Sequence, residues 1–187
     1  MALTKLNNQS LSAVTNLGMT KLETFSSTSS ISSRDISVDY SAHTNFRLIL
    51  NVVGDSSSNV DGKMTWKRAG QGSFDTSGYG AQGILLDADA NHLNANGTAS
   101  YLHWTLPQAS NRGFTVDFWL NGIGSSSQGN AMSCITNGYG LNNGVFSYVF
   151  GGSYYGATNA TDRVTDLQIG FSSGNMTALH YTLYGMG

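Results

Sequence analysis

The side chains of this 187-residue chain best suited to acid–base or nucleophilic chemistry are four histidines, a single cysteine and a single glutamate. His43, His92, His103 and His180 form no His-x-His or His-x-x-x-His pair. Those spacings set two imidazoles on one metal ion, so the histidines give no metal site. His103 and His180 fall in strand-like segments, opposite the apolar residues, and are expected at a surface or interface. Cys134 has no intrachain partner and sits in the short apolar run Asn130-Ala131-Met132-Ser133-Cys134-Ile135. A free thiol in such a run behaves as a small hydrophobe. Glu23 lies near the N-terminus, so the paired carboxylates of glycoside chemistry would have to come from aspartates. Serine is abundant, but with no Gly-x-Ser-x-Gly elbow recognised, a Ser-His-Asp triad is not expected.

Two clusters offer oxygen or aromatic groups. Asp87-Ala88-Asp89-Ala90-Asn91-His92 resembles the opening of a calcium loop, but His92 and Thr98 stand where that loop needs Gly and Glu. A polar turn is the simpler reading, and neither a metal nor a cofactor is expected. Tyr139, Tyr148, Tyr154 and Tyr155 crowd into the segment 138–156 among Asn and Gly. Such a mixture suits a sugar-binding face, or an oligomer interface, where Tyr is also enriched. The Gly-rich segments 122–129 and 151–156 precede no helix, so a phosphate cradle is not expected.

The elements that must position these groups read as β. Phe46, Leu48, Leu50 and Val52 alternate with polar residues, as do Phe114, Val116, Phe118 and Leu120 with Thr115, Asp117 and Trp119. Met64 and Trp66 share one face of a strand over 63–68, with the Lys and Arg residues on the other. Further strands are expected at 82–86, 100–106, 131–136, 144–150, 166–171 and 177–184, and a long turn-rich loop at 70–80. Short strands separated by Gly, Asn and Ser turns indicate an all-β antiparallel sandwich, with a jelly roll as the expected winding. Residues 35–187 form this head. Residues 1–34 read as an attachment arm, with Leu3, Leu6, Leu11, Val14 and Leu17 as anchors and a Ser-rich linker over 25–34.

Composition sets the surroundings. Only 11% of residues are charged, the net charge is −2, and Gly numbers 23 against one Pro; about 25% charged is typical. With no basic stripe there is no electrostatic footprint for nucleic acid. A surface so weakly charged favours association, hence a homo-oligomer. No apolar run approaches the ~20 residues that span a bilayer, and the residues after Met1 do not resemble a secretory signal. The Asn-x-Ser/Thr triplets at Asn8, Asn96, Asn159 and Asn175 follow from an Asn-, Ser- and Thr-rich composition.

The opening Ala2-Leu3-Thr4-Lys5-Leu6-Asn7-Asn8-Gln9-Ser10-Leu11-Ser12-Ala13-Val14-Thr15 resembles an N-terminal segment of virion fibre and decoration proteins of tailed bacteriophages, particularly marine ones. Ile169-Gly170-Phe171-Ser172-Ser173-Gly174-Asn175-Met176 and Tyr181-Thr182-Leu183-Tyr184-Gly185 are similar to the closing strands of a phage β domain. Residues 40–53 resemble its opening strand, and residues 72–79 its long loop. The resemblance implies a non-enzymatic virion structural protein, a capsid decoration or a fibre or tail component. It implies a trimer with other virion proteins as partners and carries no catalytic residue. A host-surface glycan bound through Tyr139, Tyr148, Tyr154 and Tyr155 is the alternative.

Overall fold

A computed structural model describes residues 18–55, 60–86, 91–108, 113–123, 131–140, 144–154 and 163–186. Among them there is no helix. The strands are β1 (Met19–Ser27), β2 (Ser33–Ser37), β3 (Asn45–Gly54), β4 (Val60–Arg68), β5 (Tyr79–Leu86), β6 (Asn91–Ala99), β7 (Leu102–Gln108), β8 (Gly113–Asn121), β9 (Ala131–Gly140), β10 (Gly144–Tyr154), β11 (Val164–Phe171) and β12 (Met176–Met186).

They form two antiparallel sheets. The larger has the order β1-β12-β3-β8-β9-β10-β5-β6, and the smaller β2-β11-β4-β7. Every strand of the small sheet is reached from, and left for, a strand of the large one. The all-β sandwich expected from the sequence is therefore present. The one proline, Pro107, lies in β7, an outermost strand. A residue with no N–H to donate is tolerated at an edge.

Alternation places the core between the sheets. In β3, Phe46, Leu48, Leu50 and Val52 are buried, and in β8, Phe114, Val116, Phe118 and Leu120. The small sheet answers with Ile36, Met64, Trp66, Leu102, Trp104, Leu167, Ile169 and Phe171. Trp104 is central: it meets Phe114 and Phe118 edge-on, at centroid distances of 5.8 and 6.5 Å, and tilts against Phe171 at 5.3 Å. Such edge-to-face pairs add to the burial of their area.

Three expectations are corrected. Residues 19–27 and 33–37 are strands rather than arm and linker: β1 pairs along β12, and β2 along β11. The register of β1 shifts between Lys21 and Glu23. This bulge breaks strict alternation, so Leu22 and Phe25, three residues apart, both pack against the core. Arg68 does not point outward with Lys67. It is buried beside Met64 and Trp66, where its Nε bonds Asp75 Oδ2 at 3.2 Å. His103 is buried rather than at the surface. The anchor residues Leu3, Leu6, Leu11, Val14 and Leu17 lie outside the described residues.

Candidate functional site

The outer face of the large sheet carries exposed functional side chains in rows set by strand register. One row runs Ser26, His180, Asn51, Thr115, each the register partner of the next on β1, β12, β3 and β8. Ser26 Oγ and His180 Nδ1 are 2.6 Å apart, and Thr115 Oγ1 donates to Asn51 Oδ1 at 2.8 Å. His180 thus sits at the surface, as the sequence indicates.

Beside this row runs a second of small residues, Ala178, Val53 and Gly113, also in register. Together the two rows line a groove of about 460 Å3, walled further by Ser27 and Thr28 at the end of β1. Among the described residues, none of its lining is Asp, Glu, Lys or Arg.

Toward the other end of the same face, Arg47 forms a two-pronged ion pair with Asp117. Its Nε lies 2.8 Å from Oδ1 and its Nη2 2.7 Å from Oδ2. The Arg47 guanidinium also lies 4.8 Å from the Trp119 ring centroid, and the Asp117 hydrogen bond raises its pKa further above the ordinary value. Trp119, Met19 and Ile135 are exposed apolar side chains. The charge of Arg47 is matched by its partner, and the exposed Lys21 stands in the same register row, two strands away.

A third cluster closes one end of the sandwich. Tyr101 Oη donates to Asp61 Oδ2 at 2.8 Å, and His103 Nδ1 lies 3.8 Å from the same oxygen. The Tyr101 and His103 rings are 4.7 Å apart. Burial pushes the Tyr101 pKa up to about 12, helped by Asp61, and lowers that of His103 against the opposing pull of Asp61. Ser172 joins through its backbone and hydroxyl: Asp61 N donates to Ser172 Oγ at 3.0 Å, and Ser172 N to Asp61 O at 2.8 Å.

Ser172 stands in Gly170-Phe171-Ser172-Ser173-Gly174, which has the Gly-x-Ser-x-Gly spacing of a nucleophile elbow. This corrects the expectation that no such spacing is present. The structure sets it in the turn between β11 and β12, a strand-to-strand connection with Gly174 at φ 76°. The elbow requires a strand-to-helix turn that lifts the serine toward a base. Here the serine instead ties the β11–β12 connection to β4.

Of the residues singled out for chemistry, Cys134 occupies the β9 position paired with Phe118 and Phe150. Tyr139 is the register partner of Gly113 on the groove floor, Tyr148 of Thr136 and Leu85, and Tyr154 of Tyr79. The strands thus do not gather the four tyrosines at one register position. The side chains of these three, and Tyr155 entirely, lie outside the described residues, as do Asp87 and Asp89. Among the described residues, no group of three or more His, Cys, Asp or Glu side chains could hold a metal ion. The row Ser26–His180–Asn51–Thr115 escapes sequence reasoning because its members are at least 25 residues apart in the chain, joined only by strand register.

No protein-family model, no curated protein and no solved structure matches this chain.

Proposed function

We propose that the chain is a non-enzymatic virion structural protein of the tailed-bacteriophage kind. Its β-sandwich head would decorate or project from a capsid or tail and assemble through an N-terminal arm. The observation that carries this reading is the pairing of Met19 with Met186 at the end of the large sheet's edge strand. Met19 thus begins β1 at the end of the large sheet's edge strand, beside Met186 of β12, and the proposed arm is the segment that precedes it. Gly18 has φ 130° and open space around it, a backbone state that suits a swivel at the arm's root.

The remaining support is chemical. The surface is weakly charged, and Met19, Trp119 and Ile135 are exposed on it. Such faces gain from being covered by other subunits. A homotrimer, other virion proteins as partners and a jelly-roll winding of the two sheets belong to this proposal. A glycan-binding head is favoured by one feature, the uncharged groove at Asn51 and His180.

The test uses the mass of the full chain in solution and of a chain lacking residues 1–17, a deletion that spares β1. A trimer is expected for the full chain, with the head folded in both. Replacing Leu6 and Leu11 by Asp should abolish retention on particles while leaving the head's circular dichroism unchanged. Monomers in both forms, or undiminished retention of the Asp variant, would overturn the reading.

A further inference from the structure

We propose that the groove formed by Ser26, Asn51, Thr115 and His180 over the floor of Ala178, Val53 and Gly113 binds a neutral glycan. The inference concerns the head alone and holds whether or not residues 1–18 attach it to a particle.

Its dimensions come first. About 460 Å3 falls within the range of small-ligand sites, roughly 300–1,000 Å3. Register brings its lining together: Ala178, Val53 and Gly113 align across β12, β3 and β8, beside the row of His180, Asn51 and Thr115.

Its chemistry selects the ligand. A sugar hydroxyl both donates and accepts, so it is matched by mixed uncharged groups rather than by one sign of charge. The row supplies such a mixture. The Ser26–His180 and Thr115–Asn51 contacts fix the side chains in place and still leave the Asn51 Nδ2 amide, His180 Nε2 and the hydroxyl groups for a ligand. Side chains held before binding lose less entropy when they bind. Among the described residues that line it there is no Asp, Glu, Lys or Arg, so these offer phosphates, sulfates and charged peptides no permanent counter-ion. An extended peptide would instead add to a free strand edge, whereas this groove crosses the face of four hydrogen-bonded strands. Tyr139, the register partner of Gly113, extends the floor row by one strand.

The experiment is a binding screen of the full chain against an array of neutral oligosaccharides, with sulfated and sialylated ones beside them. Saturation-transfer NMR and titration calorimetry would follow up each hit. Binding to at least one neutral oligosaccharide is expected. Asn51→Ala with Thr115→Val should weaken it at least tenfold, and Ala178→Trp, which fills the floor, should abolish it. Lys21→Ala, outside the groove, should leave it unchanged. Circular dichroism and melting temperature confirm that each variant folds, and two independent ways of spoiling the groove separate loss of binding from loss of fold. The proposal is overturned by no binding to any neutral glycan at millimolar concentration, by preference for the anionic ones, or by binding that survives both sets of changes. A second copy of the chain as the true occupant would show as self-association lost in Ala178→Trp, with no glycan bound, and would overturn it too.

Discussion

Tyr181 Oη donates a 2.5 Å hydrogen bond to Glu23 Oε1, and Arg34 reaches the same two groups from the opposite sheet. Glu23 is on β1 and Tyr181 on β12, both in the large sheet, whereas Arg34 is on β2 in the small one. The Arg34 guanidinium also lies 4.0 Å from the Phe25 ring centroid. The only glutamate of the chain is thus part of a clasp across the side of the sandwich where β1 and β2 meet. Its role is to close the seam, which explains a carboxylate in a segment otherwise made of Ser, Thr and apolar residues.

The clasp should matter through the buried hydroxyl more than through the ion pair. Arg34 and Glu23 are 3.4 Å apart, and each retains about a third of its exposure, so their attraction is largely screened. Glu23→Ala leaves the Tyr181 hydroxyl without its acceptor, a loss of about 1–3 kcal/mol. Tyr181→Phe should cost less in the Glu23→Ala background than alone. Urea unfolding of the two single variants and the double variant measures that coupling. Strict additivity would show that the clasp does not hold the seam.

Alkaline stability should fall between pH 10 and 12. Burial, then the hydrogen bond to Glu23, pushes the Tyr181 pKa up to about 12. Burial, then Asp61, does the same to Tyr101. In the unfolded chain both titrate near 10. Above that pH the unfolded state gives up protons that the folded state keeps, so stability is full below about pH 10 and drains away toward 12. Melting temperature scanned from pH 8 to 12 should show this slope, reduced in Tyr181→Phe and in Tyr101→Phe. Equal slopes in the variants and the parent would rule out these two phenols.

On the acid side the sensitive group is His103. Burial lowers its pKa, with Asp61 pulling the other way. Its contribution is present above the unfolded value near 6.5 and is lost as pH falls below it, because the unfolded imidazole takes up a proton first. His103→Gln should lower stability at pH 7.5 yet flatten the decline from pH 7 to 5. Parallel melting curves for variant and parent across that range would exclude His103 as the source.

Gly62 is held to its identity by a neighbour. A Cβ built there would come 2.3 Å from Trp104 Cδ2, in the middle of the indole rather than at a movable tip. Trp104 is pinned by its Nε1–H donated to Lys63 O at 3.0 Å and by three aromatic contacts. Gly62→Ala should therefore cost about 1–3 kcal/mol by overpacking. Gly72→Ala, in open space, should cost little. Differential scanning calorimetry of the two variants decides the comparison, and equal melting points would refute the close approach.

Much of the sandwich was legible in the sequence, for a simple reason. Where one face of a strand meets the core and the other meets water, the pattern repeats every two residues. Phe46–Val52 and Phe114–Leu120 carry that pattern and fold accordingly. β1 was hidden because its bulge interrupts the period and because an edge strand buries little. Its strand character comes from β12, which offers a row of backbone partners some 150 residues away. Alternation does put Arg68 on the face of Met64 and Trp66, and only its charge argues for the other side; Asp75, brought close by a loop, is what lets it be buried. The burial of His103, beside Asp61 of a neighbouring strand, was invisible. The groove belongs wholly to tertiary structure. Ser26, His180, Asn51 and Thr115 are ordinary polar residues in their own segments, and only the register of four strands drawn from three distant parts of the chain sets them in a line. The sequence by itself determined that this is a two-layer β protein with a neutral surface. Which polar side chains stand together was decided by strand pairing, because hydrogen bonds between backbones fix register over distances that local periodicity does not encode.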